Sequence, residues 1–350
     1  MHTLRLTILL IMVFSHFSLF SDVVLKDDED VWFFPTSANQ ITRNEWNVPI
    51  HHWVFEKEEK SIGRKITQKM LSEVIESLGV TEEQANSPLV RQRLMWFLVD
   101  NERNKEIKIN LKGLTQNLNP TAPNGHAKTE LKLTTEEKSG DWLDFKVIDP
   151  NNRKHSFKGT VQLIPEEGLS VISDVDDTIK ISEVLDKKVL LKNTFVKSYK
   201  ITEGFPEYYQ ELEKQGAYFH YVSASPWQLQ PSLKPFMDKH YPQGTIALRN
   251  FRLTDSSLLE FLQSSAEYKV EQIKAIIERY PKHQYILIGD SGEHDPDVYA
   301  KIYQLFPNNI KAIQIRAVKG SDLSDTRFSQ TFNSVPKSLW QVFEKPPNSH

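Results

Sequence analysis

From about residue 165 onward, short apolar runs alternate with amphipathic stretches, and that alternation admits few folds. Leu169 to Ser173, Ala217 to Val222, Gln284 to Ile288 and Ile310 to Ile315 read as buried strands, with Thr245 to Phe251 extended. Between them, Glu203 to Gln215, Pro231 to His240, Glu267 to Tyr280 and Pro296 to Phe306 have helical spacing, the third with Val270, Ile273, Ile276 and Ile277 on one side. Strands that are apolar throughout and separated by helices belong to a parallel sheet covered on both faces. The expectation is an α/β, Rossmann-like domain over 165–320, with functional side chains beyond the carboxyl ends of its strands.

The preceding part follows another grammar. Val31 to Pro35, Trp46 to Phe55, Leu94 to Val99, Glu106 to Leu111, Ala127 to Leu133, Trp142 to Ile148 and Ser156 to Ile164 read as short strands separated by Asn, Pro, Gly and Asp turns. Thr115 to Gly125 reads as a loop. A helical stretch from Lys65 to Leu78, stopped at Gly79, interrupts them. The spacing predicts a smaller β-rich, sandwich-like domain over 22–164, with a helical segment near 65–100, and leaves 321–350 as a C-terminal tail.

Residues 1–21 carry Arg5 ahead of the apolar run Leu6 to Phe20 and read as a signal peptide, so the chain is expected to be exported: periplasmic, secreted or peripheral on a membrane surface. No cysteine is present, which removes disulfides, thiolate nucleophiles and Cys-ligated metals. With 43 Lys and Arg against 46 Asp and Glu and no long like-charge run, nucleic acid is not an expected partner.

The first strand of the α/β part ends in Asp174-Val175-Asp176-Asp177-Thr178. One aspartate after a strand ordinarily caps a helix or starts a turn. Three in four positions resist folding unless a cation neutralises them, and clustered oxygen ligands suit Mg²⁺. In an Asp-x-Asp pair the first carboxylate can attack phosphorus, while the second protonates the leaving oxygen and later activates water. The next strand ends at Ser223, whose hydroxyl either caps its loop or holds a phosphoryl oxygen. Gln284 to Ile288 ends in Gly289-Asp290-Ser291-Gly292-Glu293-His294-Asp295-Pro296, adding Asp290, and Asp295 with the competing reading of a helix start. His294 reads as a solvated loop residue. A site with so many acids also needs a cationic side chain. Lys269 and Lys274 compete for that place, Lys269 lying nearer the strand ends.

The order Asp-x-Asp-x-Thr, Ser, Lys, Gly-Asp-x-x-x-x-Asp resembles the haloacid-dehalogenase superfamily. The strings Ile172 to Lys180 (ISDVDDTIK), Tyr221 to Leu229 (YVSASPWQL) and Gly289 to Tyr299 (GDSGEHDPDVY), with Trp46 to Phe55 (WNVPIHHWVF) upstream, are similar to the actin-patch-type phosphatidate phosphatase family. Ala224, Tyr268 and His294 stand where that family more often has Asn, His and Gln. The resemblance implies Asp174 as nucleophile, Asp176 as acid/base, and Ser223, Lys269 and Thr178 at the phosphate. It also implies Mg²⁺ held by Asp174, Asp290, Asp295 and the main-chain carbonyl of Asp176, and a lipid phosphate at a membrane surface as substrate.

Fewer than fifty positions separate Asp174 from Ser223 and Ser223 from Lys269, too few for a large lid domain, so the site is expected to admit bulky substrates. Trp227, Leu229, Leu233, Phe236 and Met237 could touch an acyl chain, against the plainer reading of core packing. Two other functions stay open: hydrolysis of a soluble, nucleic-acid or phosphoprotein monoester, and a secreted binding protein whose N-terminal domain carries the main role.

Overall fold

The computed structural model describes residues 23–57, 80–154, 156–250 and 266–346. The expected signal peptide and the Lys65 to Leu78 helix fall outside these residues. The chain divides into two compact units: Met1–Glu59 with Val99–Leu163, and Lys60–Leu98 with Ile164–His350. Among the described residues, no helix is long and apolar enough to cross a membrane.

The first unit is a mixed, mostly antiparallel sheet of nine strands: β1 (Glu29–Phe34), β2 (Thr36–Gln40), β3 (Glu45–Glu56), β4 (Asp100–Asn101), β5 (Lys108–Leu111), β6 (Leu114–Asn117), β7 (His126–Thr134), β8 (Trp142–Val147) and β9 (Lys158–Ile164). They run in the order β1-β3-β2-β9-β8-β5-β6, with β4 and β7 also on β3. β7 shows why the sequence folds so: His126, Thr129, Leu131 and Leu133 point inward, while Lys128, Glu130 and Lys132 face solvent. The strands form one hydrogen-bonded sheet that curls over itself, so that Phe33 of β1 and Phe145 of β8, four strands apart in the order, meet with ring centres 4.9 Å apart, as the facing layers of a sandwich do. Their inward side chains, including Val31, Phe33, Trp46, Val48, Val161 and Leu163, make a single core. β6 lies inside the stretch read as a loop. Lys112 and Gly113, both at positive φ, form the two-residue turn that pairs Leu111 with Leu114, and the polar residues of β6 hide that strand from an apolar search.

The second unit is the expected parallel sheet. β10 (Glu167–Ser173), β11 (Ala217–Pro226), β12 (Thr245–Arg249), β13 (Lys282–Asp290), β14 (Ile310–Arg316) and β15 (Trp340–Phe343) lie in the order β12-β11-β10-β13-β14-β15, every neighbouring pair parallel. Alternate residues feed two cores: Val171, Phe219 and Ile286 join one, and Ile172, Val222 and Leu287 the other. From β10 the chain winds outward through β11 and β12, then returns to place β13 on the other side. The loops after β10 and β13 therefore diverge and leave a crevice at their carboxyl ends.

Two expectations need correction here. Leu94 to Val99 is no strand: helix α1 (Pro88–Leu94) runs into a 3₁₀ turn at Met95–Phe97, capped by Ser87 with Pro88 in its first turn. Short apolar runs do not distinguish strand from buried helix by period alone. Val90, Leu94 and Phe97 pack in the core of the second unit, so this segment belongs there and not to the β-rich part. Residues 321–350 are likewise more than a tail. A helix at Asp325–Thr331 buries Phe328, and β15 extends the sheet beside β14.

Candidate active site

β10 delivers Asp174 to the crevice, where its amide donates to the Ile288 carbonyl of β13 (2.9 Å). The carboxylate is 2% exposed. β13 ends at Asp290, whose Oδ1 accepts from the amides of Gly292 (2.6 Å) and Glu293 (3.2 Å), fixing the turn into helix α6 (Asp295–Leu305). Here α2 (Lys187–Leu191), α3 (Phe205–Lys214), α4 (Gln230–His240) and α5 (Ala266–Arg279) come before α6 in the chain. Asp295 opens α6, and its Oδ2 accepts from the Asp290 amide (3.1 Å). This carboxylate occupies the space where a Cβ at Gly289 would fall, so only glycine fits the strand end.

Lys269, in the first turn of α5, is 1% exposed and sits among three acids. Its Nζ lies 2.6 Å from Asp295 Oδ1, 2.8 Å from Asp174 Oδ1 and 3.2 Å from Glu293 Oε2. Burial works against its charge, but Asp174, Asp295 and Glu293 outweigh that and hold the ammonium well above the usual lysine value. Lys274 is out at the surface, 3.6 Å from Glu278, so of the two lysines Lys269 is the one that reaches the acids.

Asp174, Asp290 and Asp295 each bring a carboxylate oxygen within 4.8 Å of the others. Burial, together with the neighbouring acids and against the pull of Lys269, pushes Asp174 and Asp290 well above the carboxylate range. Asp174 Oδ2 and Asp290 Oδ2 are buried with no hydrogen-bond partner. Buried carboxylate oxygens with nothing to accept from, in a cluster this close, fit a hard divalent cation. Both oxygens of Asp295 are already engaged, by Lys269 and by the Asp290 amide, so it orients the cluster more than it offers a free ligand.

Asp176 looks elsewhere. Its Oδ1 is 2.6 Å from Lys180 Nζ and accepts from Ser182 Oγ (2.7 Å); its Oδ2 accepts from Ser225 Oγ (2.8 Å) and Ser223 Oγ (3.2 Å). Burial disfavours the anion, yet the Lys180 ammonium and these hydroxyls outweigh it and hold the carboxyl at about 2. Its side chain is not one of the three that gather. Thr178 is fully buried, and its Oγ1 has no hydrogen-bond partner. Asp177 is structural: at φ 53° it accepts from the amides of Ser182, Glu183 and Val184 and shapes the loop. Arg316, at the end of β14, donates to the Asp177 carbonyl.

The structure thus brings together Asp174, Lys269, Asp290 and Asp295, and separately Asp176 with Ser223. Lys180, Ser182, Ser225, Glu293 and Arg316 were not singled out from sequence. Lys180, Ser225 and Glu293 had a visible signal, lying within the strings Ile172 to Lys180, Tyr221 to Leu229 and Gly289 to Tyr299. His294 is exposed, as expected of a loop residue. Trp227, Leu229, Leu233 and Met237 are buried, and the last three pack in the core, which favours the plainer reading of that stretch.

A parallel sheet carrying Asp-x-Asp-x-Thr at the end of a central strand, with a buried lysine and a late acid pair across the crevice, is the arrangement that the resemblance to the haloacid-dehalogenase superfamily implies. Residues 169–317 match the family described as phosphatidate phosphatase APP1, catalytic domain. Phosphatidate phosphatase APP1 of Saccharomyces cerevisiae is 36% identical over 158 residues, covering 44% of this chain and 27% of the yeast protein. An uncharacterized protein of Schizosaccharomyces pombe is 32% identical over 197 residues, covering 55% of this chain and 32% of its own. The chain therefore spans about a third or less of the curated relatives it matches. A solved phosphoserine phosphatase, a phospho-aspartyl intermediate analogue, aligns with 12% identity over 50% of this chain and 93% of its own, at a TM-score of 0.30.

Proposed function

We propose that the chain is a magnesium-dependent phosphatase that forms an aspartyl-phosphate on Asp174 and takes phosphatidate as substrate, releasing diacylglycerol and phosphate. One observation carries the reading: Asp174 and Asp290, each with a buried, unpartnered oxygen, gather with Asp295 within 4.8 Å beside Lys269 at the carboxyl end of a parallel sheet. The match to a phosphatidate phosphatase catalytic domain supports the substrate.

Asp174 and Asp290 would hold the cation, with Asp295 behind them. Bound there, Mg²⁺ neutralises phosphoryl oxygens and aligns the ester for in-line attack. An Asp174 oxygen bonds to phosphorus as the bond to the leaving oxygen breaks; that oxygen keeps the electron pair and takes a proton from Asp176, whose carboxyl the negative charge of the bound phosphate raises from its resting value of about 2. Asp176 then accepts a proton from water as the water attacks phosphorus, which frees Asp174 and phosphate. Lys269, Ser223 and Thr178 stabilise charge on the equatorial oxygens.

Export through the Leu6 to Phe20 segment and work at a membrane surface belong to the same proposal, and N-terminal sequencing of the secreted or envelope fraction tests the first. The enzymatic part is tested by phosphate release from phosphatidate vesicles with and without Mg²⁺. Asp174→Asn is expected to lower turnover by about a thousandfold or more, as loss of a nucleophile does. Retained turnover in that variant overturns the mechanism, whereas faster release from a soluble aryl phosphate than from vesicles overturns the lipid assignment alone.

A further inference from the structure

Residues 80–98 lie outside the matched segment 169–317, yet one of their side chains reaches toward the acid/base group. Arg93, on α1, is 4% exposed, and its Nη1 donates to the carbonyls of Thr194 (2.7 Å) and Lys197 (2.8 Å). Those carbonyls flank the end of a π-helical turn at Lys192–Val196, an irregularity common at functional sites. The guanidinium carbon sits 3.8 Å from the centre of the Tyr199 ring. Lys180 Nζ lies 5.3 Å from the same ring centre, within range of a cation–π attraction. The same Nζ is 2.6 Å from Asp176 Oδ1 and donates to Ser182 Oγ at 2.6 Å. The Tyr199 hydroxyl is buried with no hydrogen-bond partner, so the residue acts through its ring.

A continuous run of contacts thus leads from Arg93 through Tyr199 and Lys180 to Asp176. We propose that Arg93 is a positioning residue for Asp176: it fixes the Tyr199 ring, the ring fixes the Lys180 ammonium, and Lys180 with Ser182 holds the carboxylate in the one orientation that serves proton transfer to the leaving oxygen. The inference rests on the phosphatase reading above. It makes a segment from outside the catalytic-domain match part of the catalytic apparatus. A residue that only pinned the 192–199 loop would need no link to the ammonium that grips the acid.

The test uses the full chain with Mg²⁺ and two soluble esters of similar size, benzyl phosphate and para-nitrophenyl phosphate. Departure of benzyl alkoxide needs the proton from Asp176; departure of nitrophenolate does not. Arg93→Met is expected to slow benzyl phosphate turnover about tenfold to thirtyfold while changing the nitrophenyl ester by about threefold or less, a fraction of what general acid catalysis supplies. Arg93→Lys should fall between. The ratio of the two rates within one preparation is insensitive to misfolded protein, so poor folding does not mask the answer. In an Asp176→Asn background the Arg93 change should no longer move the ratio. An equal loss on both esters, or a ratio shift that persists without Asp176, overturns the proposal and leaves Arg93 as a loop anchor. Absence of turnover by the unaltered chain on both esters overturns the phosphatase reading itself.

Discussion

At the scale of single residues, the crevice sets catalysis against stability. Asp290 is fully buried, close to Asp174 and Asp295, and one of its oxygens has nothing to accept from. Without a cation the cluster resists folding, so Asp290→Asn is expected to stabilise the metal-free chain by on the order of 1–2 kcal/mol while abolishing phosphate release. Conversely, Mg²⁺ at a hundredfold its Kd should raise the stability of the unaltered chain by about 2.7 kcal/mol and leave Asp290→Asn nearly unmoved. Thermal melts with and without Mg²⁺ check both, and an equal Mg²⁺ shift in the two proteins would remove Asp290 from the cation site. These residues were legible in the sequence because acids at strand ends announce themselves one position after an apolar run. Lys180 and Arg93 were not, because each looks like an ordinary solvated cation until folding brings Asp176 and Tyr199 against it.

At the scale of elements, β3 and β7 bury polar rings inside the first unit. His51 Nε2 and His126 Nδ1 are 3.0 Å apart, and His126 stacks on Trp53. Burial pulls His52 down to about 4, and burial with neighbouring His52 and Lys128 pulls His126 down to about 3. Both folded values lie below the ordinary 6.5, so the unfolded chain binds more protons on acidification. The stability they contribute is whole above pH 6.5 and drains away as pH falls toward 4, at up to about 1.4 kcal/mol per pH unit for each ring. Protection of the β3 and β7 amides, taken relative to intrinsic exchange at each pH, should fall between pH 6.5 and 5, and unchanged protection there would count against buried neutral rings. The strands themselves were readable because β7 alternates cleanly. Polar β6 escaped, the turn that joins it to β5 resting on Lys112 and Gly113 and not on an Asn-Gly pair. The run Leu94 to Val99, read as a strand, is the end of α1 and the 3₁₀ turn that follows it, because its apolar residues are buried by neighbours distant in sequence.

At the scale of the molecule, each unit has a core of its own, so damage to one can be read separately from the other. In the first, Lys105 Nζ and Glu29 Oε1 form an ion pair at 2.7 Å with both side chains 1% exposed. Lys105→Met strands the Glu29 charge and is expected to cost the first unit about 3–5 kcal/mol. Vesicle-phosphate release at low temperature, where that unit stays folded, should remain unchanged. The parallel sheet was legible as a whole, but its true extent was not. The sequence reading began the domain at 165 and closed it at 320, whereas α1 and β15 both complete it. A fragment starting at residue 165 loses Val90, Leu94 and Phe97 from the core they share with Leu191 and Phe195. It should express poorly and bind a hydrophobic dye, and a soluble, fully active fragment of that length would refute the assignment of α1 to this unit.

Arg93 meets carbonyls 101 and 104 positions further along the chain. During synthesis at about 5–20 residues per second, α1 therefore waits for roughly five to twenty seconds with its apolar side uncovered, and it waits while the surrounding β-rich strands are being made. The nascent protein carries one domain's fragment through the birth of another, which makes Val90, Leu94 and Phe97 the natural handhold for a chaperone.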